Sequence, residues 1–456
     1  MVATRERVNG KTKESPSPTG EGLLPFSPDD DQLATYIAKA WNNKAAFFRS
    51  NWYVYENGCW LTRDYRQLRT RIRRQLAAER DHLPKGVSQA RINAVATMLE
   101  DDLYIPDTKV SNMELESAGY INLQNGLFNL ETFELEKHRA DILMTNQLDF
   151  PYDPDADAPH FRRFLYSSLT NDQGDPDHDM IFLLLEMMAY SMTARTDLKA
   201  SAWLVGAPDS GKSTTIAFLR SLMGNLHATI DLNQLATNRF LLAGIVGKRV
   251  VTFTEADTTA FLPDALYKAM VGGQDEIYVD VKNKPGISFV PTAKFWWAMN
   301  GAPRINDRSG ATFNRLQVIL FDKSIPPEKR ITNLLALLSR EKSGVFNMLI
   351  ASYRRLLSTG QFTESERSKR WREQYQREND TETMYATENL DYVRTERIGG
   401  QELYDDYRDW CIRSGFKPKN ITQVAKEWRR IGLADTRING KTFWAGAKLK
   451  GVNINL

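Results

Sequence analysis

Eight consecutive residues, Gly206-Ala207-Pro208-Asp209-Ser210-Gly211-Lys212-Ser213, limit what this chain can fold into more than any other stretch. They satisfy G-x-x-x-x-G-K-[ST] at every fixed position, follow the apolar run 201–205 and open a helical pattern near Thr214. Such a loop needs a strand to enter it and a helix to leave it. Its glycines let backbone N–H groups curl round phosphates, and the helix N-terminus adds a favourable dipole. Lys212 then reaches the outer phosphates and Ser213 ligates Mg²⁺. The pattern implies ATP or GTP bound by residues Gly206 to Thr214 within an α/β sheet.

The surrounding sequence has the alternation such a sheet requires. Short β-branched or aromatic runs (202–205, 249–254, 295–299) alternate with helical stretches (214–223, 263–271), which predicts a parallel sheet. Nucleotide hydrolysis also needs a metal-ordering acid and a water-positioning group at neighbouring strand ends. The run Val250 to Thr254 leads into Glu255, the expected water-polarising residue, with Asp257 as second choice. The run Lys294 to Met299 ends in Asn300, a neutral amide suited to a γ-phosphate or the attacking water. Arg304, Arg308 and Arg315 follow, each able to stabilise charge on a transferring phosphoryl group. The chemistry alone does not choose among the three.

Outside this segment, 456 residues exceed what one compact domain fills. Residues 1–27, rich in Gly, Ser, Pro, Lys and Glu, read as a disordered tail. Ser27-Pro28-Asp29-Asp30-Asp31 supplies a cap, a first-turn proline and acids for a helix over Leu33 to Trp41. Asn57-Gly58 and Asn125-Gly126 sit between apolar runs as hairpin turns. Tyr65, Leu68, Ile72 and Leu76 form a helical stripe opposite Arg66, Arg69, Arg73 and Arg74, which reads as an amphipathic helix with a solvated basic face. Residues 28–195 thus read as a mostly helical α+β domain and 196–325 as the nucleotide-binding core. Residues 326–380 read as a helical segment whose charged end, 363–379, is a solvated helix or linker. Beyond it, helices over 400–413 and 421–431 and a hairpin around Asn439-Gly440 give 381–456 the order of a winged helix.

Order and spacing of these motifs carry a resemblance. Gly206 to Ser213, Glu255, Asn300 and Arg315, together with 272–275, 289–294 and 300–304, resemble the compact ATPase of superfamily 3 helicases. The likeness is to the phage and plasmid primase-helicase family and the related poxvirus helicase. It extends upstream through 125–130 and 152–159 and downstream through 344–346. It implies a P-loop, AAA+-like ATPase core and a homo-oligomeric ring, usually a hexamer, using ATP and Mg²⁺ and translocating 3′ to 5′ on single-stranded DNA in a central channel. It assigns Arg315 as the arginine that reaches the neighbour's nucleotide. Lys282 and Lys284 then fall on a channel hairpin that grips phosphates. Thr254-Glu255 replaces the family's frequent pair of acids, which leaves the metal ligand among Ser213, Glu255 and Asp257. About 30 residues precede the helical domain, too few for the family's usual fused primase, so a separate primase is the expected partner.

Charge sharpens the picture. The chain has 60 basic and 57 acidic residues, yet 414–456 holds nine of the basic residues against two acids. Lys426, Arg429, Arg430 and Lys441, on the second helix and the wing, are the residues expected to bind duplex or origin DNA. The alternative is a nucleotide-switched initiator or regulator that binds DNA without unwinding it. No run of apolar residues reaches membrane-spanning length, two distant cysteines make no disulfide framework, and the N-terminus has no secretion signal. A cytoplasmic protein is the expectation.

Overall fold

The computed structural model describes residues 24–84, 86–231, 234, 238, 240–253, 261–262, 264–281, 284–305, 310–378, 380–416 and 418–450. One compact unit comprises the described residues from Leu24 to Ser117 together with Arg139–Thr145. Its first helix, Asp30–Trp41, opens in a capping box: the Asp29 carboxylate accepts from the Gln32 backbone N–H, and the Gln32 side chain accepts from that of Asp29. The cap is Asp29 and not Ser27, because only Asp29 has a glutamine three residues on. Strands Ala45–Phe48, Asn51–Glu56 and Cys59–Arg63 form an antiparallel meander. Its Asn57-Gly58 turn has φ of +51° and +80°, the left-handed pair that a two-residue hairpin demands. Helix Tyr65–Ala78 buries Leu68, Ile72 and Leu76 against Leu33, Ile37, Val95 and Leu99, whereas Tyr65, expected in the same stripe, lies exposed at the first turn.

The second unit takes in 118–138 and the rest of the chain from Asn146. A meander of Tyr120–Leu123, Gly126–Asn129 and Leu135–Glu136 opens it. Leu123 pairs with Gly126, so the turn is Gln124-Asn125 and not Asn125-Gly126. Gly126 is needed for a different reason: a Cβ there would lie 2.3 Å from the Glu136 carbonyl oxygen of the next strand. Five parallel strands form the central sheet: β1 (Ser201–Gly206), β2 (His227–Ile230), β3 (Val250–Phe253), β4 (Lys294–Met299) and β5 (Leu316–Phe321). Their order is β5-β1-β4-β3-β2. The mixed α/β architecture with a parallel sheet is the one the alternating runs predict.

Packing divides the chain elsewhere than at residue 195. Helices Pro159–Ser168 and His178–Met192 contribute Phe161, Phe164, Leu184, Met188 and Tyr190 to the same core as Trp203, Phe218 and Trp296. Trp203 of β1 stacks on Trp297 of β4 at 5.4 Å. Lys294, wholly buried at the start of β4, donates to the carbonyls of Thr193 (2.7 Å) and Thr292 (2.9 Å) and faces the Tyr190 ring. Burial holds its pKa well below the usual lysine value.

Segment 363–379 is no linker. Helix Glu366–Glu378 packs on edge strand β5, with the Ser368 hydroxyl donating to the Val318 carbonyl (2.7 Å) and Tyr375 donating to the carbonyl of Pro303. Ser368, Trp371 and Tyr375 recur on one helical face, and the high charge around them hides that stripe from composition. The expected helical segment comprises a 3₁₀ turn, Pro327–Lys329, followed by helices Leu334–Arg340 and Lys342–Thr359. At the C-terminal end, helices Gly400–Arg413 and Ile421–Arg430 lead to strands Ala434–Ile438 and Lys441–Ala445, and Arg397–Gly399 completes a three-stranded antiparallel sheet. Trp428 and Trp444 meet edge to face in its core at 5.2 Å. No described helix is long and apolar enough to cross a membrane.

His227, on β2, shares a 2.8 Å hydrogen bond with the Thr252 hydroxyl of β3. Burial, with Arg220 and Lys248 nearby, pushes it down from 6.5 to about 4. Below 6.5 the unfolded chain binds this proton and the folded chain does not, so stability present above 6.5 is lost as pH falls toward 4. We expect the thermal midpoint of His227→Gln to fall less steeply over this window than that of the parent. Parallel pH curves would show that His227 takes no part.

Candidate functional site

Strand β1 ends at Gly206, whose φ is +144°. A Cβ there would lie 2.1 Å from the Phe321 carbonyl oxygen of β5, the same oxygen that accepts from the Ala207 N–H at 3.0 Å. Asp209 adopts φ +57°, and its backbone carbonyl accepts from Ile325 N–H (2.9 Å). Gly211, at φ +107°, caps helix Lys212–Met223, and a Cβ there would come 2.8 Å from the Ser168 hydroxyl. Both fixed glycines of the motif are thus required by this backbone. The loop is closed at its base by β5 and at its far end by helix Pro159–Ser168.

Lys212 is 6% exposed. Its ammonium donates to the carbonyls of Gly206 (2.8 Å) and Ala207, with the Ser210 hydroxyl at 3.4 Å. The Ser210 hydroxyl in turn donates to the Ala207 carbonyl at 2.7 Å. Beside this knot a cavity of about 270 Å³ is lined by Asp209 to Thr214, by Phe164 and Ser167, and by Ile325, Lys329, Arg330, Ile331 and Leu334. Ser213 is exposed at its edge and Thr214 half-buried. Arg330 pairs with Asp209 at 3.0 Å. Lys329 and Arg330 escape a linear reading because they lie over 100 residues from the motif. The available signal is that Phe321 pairs with Gly206, so chain leaving β5 emerges beside the loop. Cationic groups, hydroxyls and a helix N-terminus converging on one recess favour a polyanionic phosphate group.

The sheet register places the other candidates. Met299 pairs with Val205, so the exposed Asn300 stands at the same end of the sheet as Gly206. Leu316 pairs with Ser201, which puts Arg315 at the opposite end. There Arg315 donates to the Ala311 carbonyl (2.6 Å), while its Nε is buried without a hydrogen-bond partner among the described residues. Glu255, Asp257, Lys282 and Arg308 lie outside the described residues. Arg304 begins the short strand Arg304–Ile305, and Lys284 begins the strand Lys284–Phe289, which pairs antiparallel with Ile277–Val281.

Two of the four basic residues expected to bind DNA through the C-terminal module are committed to ion pairs. Arg429 grips Asp435 through two bonds of 2.9 and 3.0 Å, which lowers the carboxyl pKa of Asp435. Arg430 pairs with Glu427 at 2.7 Å and with Asp380. Lys426 and Lys441 are exposed, and no ion pair among the described residues involves either.

Residues 31–169 match the family described as D5 N terminal like, and residues 204–315 match a family of unknown function, DUF5906. Two viral proteins align with about half of the chain: "Putative helicase L207/L206" of Acanthamoeba polyphaga mimivirus, 25% identical over 50% of this chain, and "Putative helicase 184R" of Invertebrate iridescent virus 6, 24% identical over 45% of it. The chain thus carries a D5 N terminal like segment and is similar to two viral putative helicases. It spans about a quarter of the length of these relatives, 24% of the first and 22% of the second. A solved apo structure of the NrS-1 C terminal region is matched over 92% of this chain and 99% of its own at 12% identity, with a TM-score of 0.47.

Replacing Gly206 by Ala sets a methyl group against backbone atoms that cannot turn aside, and we expect a loss on the order of 3 kcal/mol in chemical denaturation. Gly224 has φ +49° with nothing within 4 Å of a Cβ, so Gly224→Ala should lose only about 1 kcal/mol. Equal losses at the two positions would mean that φ alone, and not the close approach of β5, requires Gly206.

Proposed function

We propose that this chain is an ATP-dependent DNA helicase acting in replication of a phage, plasmid or other mobile element. The observation that carries the reading is the separation of Lys212 and Arg315 across one strand. β1 holds the Lys212 loop at its C-terminal end, and Arg315 immediately precedes the neighbouring strand at the other end, roughly 16 Å of strand away. An arginine so placed does not reach phosphates held by its own Lys212. It suits a nucleotide held by an adjacent copy, which supports the ring that the family resemblance implies, a hexamer with ATP between subunits.

In this reading Lys212 and the backbone N–H groups of the Gly206 to Ser213 loop bind the outer phosphates of ATP. Lys329 and Arg330 neutralise charge from the far wall of the recess. The glycine cradle and exposed Ser213 hydroxyl fit Mg²⁺-ATP, with Ser213 and Glu255 or Asp257 as the residues that would hold the metal. Bound Mg²⁺ supplies charge neutralisation at the phosphate oxygens. Glu255 orients the attacking water, Asn300 hydrogen-bonds the γ-phosphate or that water, and the neighbour's Arg315 stabilises charge spread over the transferring phosphoryl group. Lys282 and Lys284 hold the DNA strand in the channel, as the resemblance implies. The C-terminal segment is a winged-helix module that contacts duplex DNA through Lys426 and Lys441, while Arg429 and Arg430 hold the module together.

Lys212→Ala and Arg315→Ala should each lower ATP turnover at least about a thousandfold. A mixture of the two should regain part of it, since some interfaces then pair an intact lysine with an intact arginine. No recovery between two variants that still assemble would sink the shared site. Unwinding of a forked duplex, followed in parallel, tests the helicase itself. Lys282→Ala with Lys284→Ala should keep ATPase and lose unwinding, and removal of 381–456 should abolish duplex binding with ATPase intact. ATP turnover with no strand separation under any condition would favour the nucleotide-switched initiator.

A further inference from the structure

The first compact unit holds a second, larger recess, about 530 Å³, between helix Tyr65–Ala78 and the strands Asn51–Glu56 and Cys59–Arg63. Four arginines line it, Arg63, Arg66, Arg71 and Arg74, against one acid, Glu56. Glu56 lies between two of them, 2.5 Å from Arg63 and 3.0 Å from Arg71. One carboxylate shared by two guanidinium groups fixes both in direction and leaves them a net positive charge. Arg66 and Arg74 are exposed, and no ion pair among the described residues involves either. The wall of the recess therefore keeps most of its charge, unlike the C-terminal module, where Arg429 and Arg430 are neutralised.

Spacing indicates the shape of the ligand. Arg66, Thr70 and Arg74 recur every four residues on one face of the helix, so their polar ends rise in steps of about 6 Å along a line about 12 Å long. That is a ladder for a chain of regularly repeated negative charges. Every basic residue from Arg49 to Arg80 is arginine, whose planar fork matches paired phosphate oxygens where a lysine offers a point charge. The recess takes in the backbone of one strand and not the width of a duplex.

We infer that this recess binds the phosphodiester backbone of single-stranded nucleic acid, with Arg66 and Arg74 as the principal contacts and Glu56 as the residue that positions Arg63 and Arg71. The inference deepens the proposed DNA-directed function by adding a binding surface remote in sequence from the Lys212 loop. It does not depend on ATP hydrolysis.

The test uses the full chain, without nucleotide, and a fluorescent oligothymidine of about 20 nucleotides, a length that exceeds the few nucleotides such a surface holds. Arg66→Ala with Arg74→Ala should weaken binding at least tenfold and lower the slope of log affinity against log salt by about 1.4, at about 0.7 for each phosphate no longer neutralised. Arg66→Lys with Arg74→Lys should keep the slope and recover part of the affinity. Both variants should keep the parent's thermal midpoint and DNA-independent ATPase. Unchanged affinity in the alanine variant overturns the inference. So does equal competition by polyglutamate, which would make an acidic protein segment the occupant, or a loss confined to duplex. A parent chain that hydrolyses ATP but does not bind the oligonucleotide overturns it while sparing the nucleotide reading. A chain without ATPase that binds through Arg66 and Arg74 upholds it and removes the other.

Discussion

Strand β1 is buried from Ser201 to Val205 and hydrogen-bonded on both edges, and what surrounds it has little freedom to shift. A slip of one residue against β4 would part Trp203 from Trp297, and a slip against β5 would part Gly206 from Phe321. Two-residue side-chain alternation makes any such slip turn core residues outward. The same register sets the loop that bears Lys212 level with Asn300 at one end of the sheet and fixes Arg315 at the other. Site geometry is thereby a by-product of how the largest aromatic groups pack, and chemistry-bearing residues need few contacts of their own to stand where they do.

What could be read from the chain alone was local. The Gly206 to Ser213 loop declares itself because its backbone requirements fall at fixed short spacings, and the structure supplies the reason at both glycines. Asn57-Gly58 is legible for the same reason. Asn125-Gly126 misleads because Gly126 answers to a strand ten residues away and not to a turn. Lys329 and Arg330 join the recess only through the β1–β5 pairing, which no local pattern encodes. Segment 363–379 is legible as a helix but not as a docked one, because composition weighs its many charges above the three residues, Ser368, Trp371 and Tyr375, that dock it.

Arginine has different fates in different parts of this molecule. Arg367 is held by Asp177 and Asp322, and Arg355 by the buried Glu186, so these guanidinium groups tie helices to the core. Burying Glu186 without such a partner would be costly, since an unpaired charge in a low-dielectric interior is strongly disfavoured. Arg429 and Arg430 serve likewise within the C-terminal module. Arg66 and Arg74 have no such partner among the described residues. A sequence count treats all of these alike, and net charge per segment does not distinguish the ion-paired Arg429 and Arg430 from Arg66 and Arg74.

Helix Glu366–Glu378 joins parts that the sheet itself does not connect. Its Tyr375 packs against Phe313 and donates to Pro303, and Arg372 reaches the Leu316 carbonyl at 3.3 Å, so it clasps both sides of the turn that carries Arg315. Immediately beyond it, Asp380 pairs with Arg430 of the C-terminal module. Three side chains along the helix, Ser368, Arg372 and Tyr375, hold it to the carbonyls of Val318, Leu316 and Pro303. A substitution that loosens helix Glu366–Glu378 therefore also frees the turn that carries Arg315.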